Sequence, residues 1–211
     1  MTCILLSDTH GQHWSIDTQP ADVLIHAGDI SRHGYKEEVE SFIEWFIEQP
    51  QTYKIFIAGN HDFYLEKTSS DVIQSMLPEN TWYLNDSGIR IKNYNFWGSP
   101  VQPRFFNWAF NRDRGKDIDR HWKLIPKHTD VVITHGPPYG ILDLTERNLN
   151  VGCEDLRKRI RTIQPKLHLF GHIHESRGQI AKNNTDFINA TVLNEYYQNV
   201  YKPIQYQLLT K

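Results

Sequence analysis

The chain is short of cysteine, of long apolar runs and of any excess of charge. Its 211 residues include two cysteines, Cys3 and Cys153. Two thiols exclude a disulfide framework. No stretch approaches the ~20 apolar residues that cross a bilayer. The opening residues Met1 to Asp8 lack a basic leader, and their apolar run is too short for a signal peptide. The expectation is a cytoplasmic protein that uses no membrane. Lys plus Arg is 23 against 25 Asp plus Glu, a net charge of −2. That balance argues against tracking long nucleic acid, although it leaves small anionic ligands open. Internal repeats, low-complexity tracts and Gly/Ser/Pro-rich linkers are also absent. What the chain has in plenty is histidine, 11 residues, within a composition that is 39% apolar and 12% aromatic. That supplies a core for a single domain spanning 1–211.

The runs Cys3–Leu6, Val23–Ala27, Ile55–Ala58, Val131–Thr134 and Leu167–Phe170 are continuous rather than alternating. Continuous apolar runs predict strands buried on both faces, as in parallel sheets. Val39, Phe42, Ile43, Phe46 and Ile47 recur at helical spacing before Pro50. Two further helices are predicted around Ile118–Ile125 and Leu156–Ile163. Hairpins are predicted at 89–97 and, around Asn183-Asn184-Thr185, at 179–192, with a last strand at 204–209. Strand–helix units mixed with hairpins point to an α/β protein with two face-to-face sheets and helices outside.

Each of the five buried runs ends in metal-binding residue types. The segments are Asp8-Thr9-His10, Gly28-Asp29, Gly59-Asn60-His61-Asp62, Thr134-His135-Gly136 and Gly171-His172-Ile173-His174. In open α/β sheets the carboxyl ends of strands share one rim, so these five ends can converge. Any one fragment alone would be an ordinary turn. Five in succession predict a metal site.

With these blocks in their order, the sequence resembles the calcineurin-like metallophosphoesterase superfamily over essentially its whole length. Within it, the segments Ile25-His26-Ala27-Gly28-Asp29, Gly98-Ser99-Pro100 and Thr134-His135-Gly136-Pro137-Pro138 resemble the subgroup of metallophosphoesterase-domain-containing proteins. The resemblance implies a four-layer αββα sandwich with a dinuclear metal site at the C-terminal ends of the strands. It implies that Asp8, His10, Asp29 and His174 hold one ion, and that Asp29 bridges to a second held by Asn60, His135 and His172. Mixed O/N donors suit Mn²⁺ first, with Fe, Zn²⁺ or Co²⁺ as alternatives. His61 matches the catalytic histidine, protonating the leaving oxygen during in-line attack by a metal hydroxide. Asp62 is expected either to tune His61 or merely to cap a turn.

The implied activity is a divalent-metal-dependent phosphodiesterase acting on a small phosphoester, with a cyclic nucleotide as the subgroup's suggestion. The alternatives are a phosphomonoesterase, a protein phosphatase, or a non-catalytic scaffold that the intact ligand set argues against. Asn60, Arg32, His33, Arg104 and Trp108 are candidates for touching substrate. In the aromatic segment 102–112, Phe105, Phe106 and Phe110 are expected to fill core, with Trp108 and Arg104 more exposed. His26 and His168 are expected in the core or supporting ligands, and His13, His121 and His128 at the surface.

Overall fold

The computed structural model describes residues 1–209, so the last two residues of the expected 1–211 domain lie outside the described residues. In chain order its main elements are β1 (Thr2–Leu6), β2 (Val23–His26), α1 (Lys36–Glu48), β3 (Tyr53–Phe56), α2 (Phe63–Lys67), α3 (Ser70–Ser75) and β4 (Thr81–Tyr83). There follow β5 (Ser87–Ile91), β6 (Tyr94–Ser99), β7 (Gln102–Pro103), β8 (Asn111–Arg112), α4 (Lys116–Trp122), β9 (Val131–Thr134) and α5 (Glu154–Ile163). The chain then runs through β10 (Leu167–Phe170), β11 (Gly178–Lys182), β12 (Thr185–Asn189) and β13 (Ile204–Gln207).

One sheet has the order β13-β1-β2-β3-β4, the other β11-β12-β10-β9-β6-β5. In the first, β1 to β4 are parallel and only β13 is antiparallel. In the second, β12, β10, β9 and β6 are parallel between two antiparallel edges. The continuous apolar runs have the cause that sequence suggested, because both faces of each central strand are covered. Cys3, Leu5, Val23, Ile25, Ile55, Val131, Ile133, Leu167 and Leu169 meet between the sheets. Their neighbours Ile4, Leu6, Leu24 and Phe56 turn outward to Val39, Phe42 and Phe46 of α1. On the far side Val132 and Phe170 meet Ile118 and Trp122 of α4 and Leu156 and Ile160 of α5. Helix, sheet, sheet and helix thus form four layers, and each fully buried aliphatic or aromatic side chain contributes roughly 1.5–3 kcal/mol.

The predicted hairpin at 183–184 is a two-residue turn in which Asn183 and Asn184 both have positive φ, 51° and 63°. Asparagine tolerates that region, and the twist of the turn matches the strands. The elements α2, α3, β4 and the β7–β8 pair are two to six residues long, too short for periodicity to mark them in the sequence.

Three side-chain expectations change. His13 is buried, bonded to the Ser41 hydroxyl and packed on Phe42 and Trp45. His121 is half-buried against the Asp86 carboxylate at 2.6 Å. Of the three phenylalanines, only Phe110 is core, whereas Phe105 is 56% and Phe106 74% exposed. The short β7–β8 ladder holds their connecting loop out over the molecular rim, so those rings have no layer to enter.

His168 lies in the middle of β10, wholly buried, with its Nε2 2.9 Å from the Thr134 hydroxyl. That hydroxyl donates to Gly136 O, so His168 donates from Nε2 and its Nδ1 has no partner. Burial pushes its pKa down to about 3. The unfolded chain therefore takes up this proton between pH ~6.5 and ~3 while the folded chain refuses it, so stability is full above that window and falls as pH drops through it, by up to about 1.4 kcal/mol per pH unit. His168→Gln is expected to flatten the pH dependence of urea unfolding between pH 6.5 and 4 by one proton's worth. An unchanged slope would show that His168 is already protonated in the fold.

Candidate metal centre

The parallel strands end side by side, and their next residues make one rim. Asp8 N donates to Gly28 O (2.9 Å), His10 N to Asp29 O (3.0 Å) and Gly171 N to His135 O (3.0 Å). Ser7 also bridges to Thr191, joining the rims of the two sheets. Asp8, His10, Asp29 and His172 all have positive φ, between 42° and 70°. Such backbone is costly for residues with a Cβ, and it persists where surrounding structure enforces it. Gly59 and Gly171 are required by close approach. A Cβ on the first would strike Asp29, and on the second the Asp8 carboxylate and Ser7 hydroxyl.

All seven ligands expected from sequence come together here. Donor atoms of Asp8, His10 and His174 lie within 4.8 Å of one another, as do those of Asp29, His135 and His172. Asp29 stands between the groups. Its Oδ2 is 3.6 Å from His10 Nε2 and 3.3 Å from His135 Nε2, while its Oδ1 accepts from His61 N at 2.8 Å. Asn60 Oδ1 is 2.9 Å from His135 Nε2. His135 Nδ1 faces Ala27 O (3.0 Å) and His174 Nδ1 faces Asn194 O (2.9 Å), so each ring donates outward and aims Nε2 into the site. Carbonyl partners of this kind fix a ligating tautomer.

The chemistry of the donor set fits divalent cations. His10 is buried with neither ring nitrogen hydrogen-bonded. Burial pushes His10 down to about 4 and His172 to about 3, keeping neutral lone pairs available. Burial also opposes charge on Asp8, but His174 and His135 hold its carboxyl below the usual range. Asp29 behaves alike, with His135 and His10 overcoming burial. Conversely, burial works against charge on His135 and His174, yet Asp29 and Asp8 raise both to about 9. Two carboxylates thus retain positive charge in a buried site, the place a cation takes when it displaces those protons.

His26 and His168 support the rim rather than enter it. Gly28 N donates to His26 Nδ1, so His26 donates from Nε2 to the Thr9 hydroxyl, between Asp8 and His10. His61 lines the cleft beside the ligands, 4.5 Å from the His10 ring, and Nδ1 donates to Arg32 O at 2.8 Å. The structure sends Asp62 elsewhere: its carboxylate accepts from Ile30 N, Ser31 N, Ser31 Oγ and Gly59 N. Asp62 therefore ties the 59–62 turn to the segment after Asp29 and does not have the His61 ring among its hydrogen-bond partners. Burial and the nearby Asp29 charge push it up to about 6.

The centre opens into a cleft of about 380 Å³ lined by His61, Pro103, Arg104, Phe105, Trp108, Pro137, Val151 and Tyr197, among others. Arg104 lies on its wall but is paired with Asp113 at 2.5 Å. Trp108 packs on His61, centroids 4.3 Å apart, and on Phe63, so one ring face is already taken. Arg32 and His33 are exposed and line a separate groove on the other side of His10. Sequence spacing missed Tyr197, whose ring lies 4.9 Å from His10 and 5.2 Å from His174. No motif surrounds it, and its left-handed backbone (φ 60°) is visible only in three dimensions.

Comparison with known proteins agrees with this geometry. Residues 1–176 match the Calcineurin-like phosphoesterase family. The chain belongs to that family. It is 40% identical to human Metallophosphoesterase domain-containing protein 1 across 98% of this chain and 71% of that protein. It is 36% identical to UPF0046 protein K07C11.7 of Caenorhabditis elegans, across 99% and 75%. Among solved structures, TT1561 of Thermus thermophilus superposes with a TM-score of 0.61 at 14% identity, covering 89% and 88% of the two chains. GAP50 of Plasmodium does so at 0.52 and 13%, covering 91% and 71%. These two likenesses concern the fold alone. The chain is a metal-dependent phosphoesterase of this family. Among the described residues, no helix is long and apolar enough to cross a membrane.

Proposed function

We propose that the chain is a phosphodiesterase that uses two Mn²⁺ ions to hydrolyse small nucleotides, cyclic nucleotides foremost. The observation that carries the diester reading is the charge of the cleft. Its two arginines are each paired with a carboxylate, Arg104 with Asp113 and Arg114 with Glu154. Beyond the metal ligands and the histidines, no unpaired cation among the described residues lines it. A diester brings one negative charge and a monoester dianion two, and with both arginines of the cleft already ion-paired the second charge would have only the bound cations to meet it. When bound, the ions neutralise phosphoryl oxygens and activate water for in-line attack.

His61 serves as the general acid. Its Nδ1–H is committed to Arg32 O, so Nε2 is the atom that carries the proton to the leaving oxygen. Asp8, His10 and His174 would hold one ion and Asn60, His135 and His172 the other, with Asp29 between the two groups. Phe105, with an exposed face on the cleft, is better placed than Trp108 to stack a base, a contact worth roughly 1–3 kcal/mol. Two buried free thiols, Cys3 and Cys153, support a reducing, cytoplasmic location.

A substrate panel on Mn²⁺-loaded protein tests the reading. Bis-p-nitrophenyl phosphate and 2′,3′- and 3′,5′-cyclic nucleotides are expected to exceed p-nitrophenyl phosphate and a phosphopeptide in kcat/KM by about tenfold or more, the equivalent of one charge interaction of ~1.4 kcal/mol. Preference for p-nitrophenyl phosphate would replace the diesterase by a monoesterase. Turnover of none would favour the non-catalytic scaffold.

A further inference from the structure

The segment that follows Asp29 is held by one carboxylate from the first turn of α1. Glu38 accepts from Arg32 N at 3.0 Å, from His33 N at 3.1 and 3.2 Å, and from Tyr35 N at 3.0 Å. Bonding to Tyr35 is what a helix cap requires, since Tyr35 is the N-cap and Glu38 the third helical residue. The bonds to Arg32 and His33 exceed that task.

Their position matters because the N–H of His33 and the C=O of Arg32 belong to the same peptide group. That peptide is trans, so its N–H and C=O point in opposite directions. One side is gripped by the Glu38 carboxylate. The other accepts the Nδ1–H of His61 at 2.8 Å. Gly34 brings the same segment close against the 61–63 backbone, because a Cβ there would strike His61 O and Phe63 N. Tyr64 N in turn donates to Gly34 O. An anion on the N–H side polarises the peptide and strengthens its carbonyl as an acceptor.

We propose that Glu38 is a positioning residue for His61, fixing its tautomer and orientation through the Arg32–His33 peptide. A carboxylate thus acts on the imidazole across an intervening peptide group, from a helix that contributes no ligand. This inference rests on the general-acid reading of His61. Glu38 belongs to none of the clustered donor groups and does not line the cleft into which the centre opens.

Two variants and two readouts test it. Glu38→Gln keeps the side-chain shape while removing the charge, and Glu38→Ala removes both. Each is assayed, Mn²⁺-loaded, on methyl p-nitrophenyl phosphate and methyl phenyl phosphate, with His61→Ala in parallel. Glu38→Ala is expected to lower kcat about tenfold on the phenyl ester and about twofold on the p-nitrophenyl ester, with KM little changed. Glu38→Gln should fall between wild type and Glu38→Ala. Independently, ¹⁵N-histidine spectra of the Zn²⁺-loaded chain should show a protected His61 Nδ1–H that is weakened in both variants. Equal losses on the two esters, where His61→Ala discriminates between them, would overturn the proposal. If His61→Ala does not discriminate either, the general-acid reading has failed and the spectrum alone decides. An Nδ1–H signal unchanged in Glu38→Ala then overturns the positioning role.

Discussion

Asp29→Ala is expected to empty both halves of the centre at once. Elemental analysis after Mn²⁺ reconstitution should fall from near two ions per chain in the wild type to well below one, with activity down by more than about 10³-fold, since activation of water is lost with the ions. The reason is geometric. Asp29 Oδ2 is the oxygen that faces both His10 Nε2 and His135 Nε2. Asp29 Oδ1 also accepts from His61 N, so alanine disturbs the turn as well. Asp29→Asn separates the effects, because an amide oxygen can keep that bond while the bridging charge is gone. His10→Ala, on one side only, should retain about one ion, because His135, His172 and Asn60 remain. A full complement of metal in Asp29→Asn would refute the bridge. Retention of one ion in Asp29→Ala would show that the two donor groups bind independently.

His61→Ala should keep its metal yet lose about 10²–10⁴ in rate, the scale of general-acid assistance. The loss should be largest on cyclic nucleotides, whose alkoxide leaving group needs a proton, and smallest on bis-p-nitrophenyl phosphate. Metal retention is expected because the His61 backbone N–H, not its ring, holds Asp29. The ring does lie within ligand reach of His10 and Asp29. Loss of an ion in the variant would therefore reassign His61 as a ligand. Equal losses on good and poor leaving groups would make it a phosphate-binding residue. Trp108 packs on this ring, so its truncation would be read as a perturbation of His61 before any role in base stacking.

Apolar patterning along the chain is enough to specify the layers and the metal-binding rim. Runs such as Val131–Thr134 and Leu167–Phe170 are apolar at every position but the strand's last residue or one interior histidine, and only a strand covered on both faces tolerates that. Because parallel strands end on one rim, Asp8, Asp29, Asn60, His135 and His172 had to gather there once the strands were placed. Position in the chain thus fixed which residue types reach the centre. The partner each side chain meets there is a matter of packing in three dimensions. Asp62 and His61 are adjacent, yet Asp62 bonds to Ser31 and Gly59 while His61 bonds to Arg32 O. His26 and His168 carry the same ring as the ligands, but a hydroxyl across the sheet, Thr9 or Thr134, receives each one. Tyr197 arrives from a loop beyond residue 176, outside every motif. Spacing along a strand sets the face and the end at which a side chain stands. The atom it meets there belongs to another segment, 29 residues away for His61 and 34 for His168, and is set by register and sheet packing.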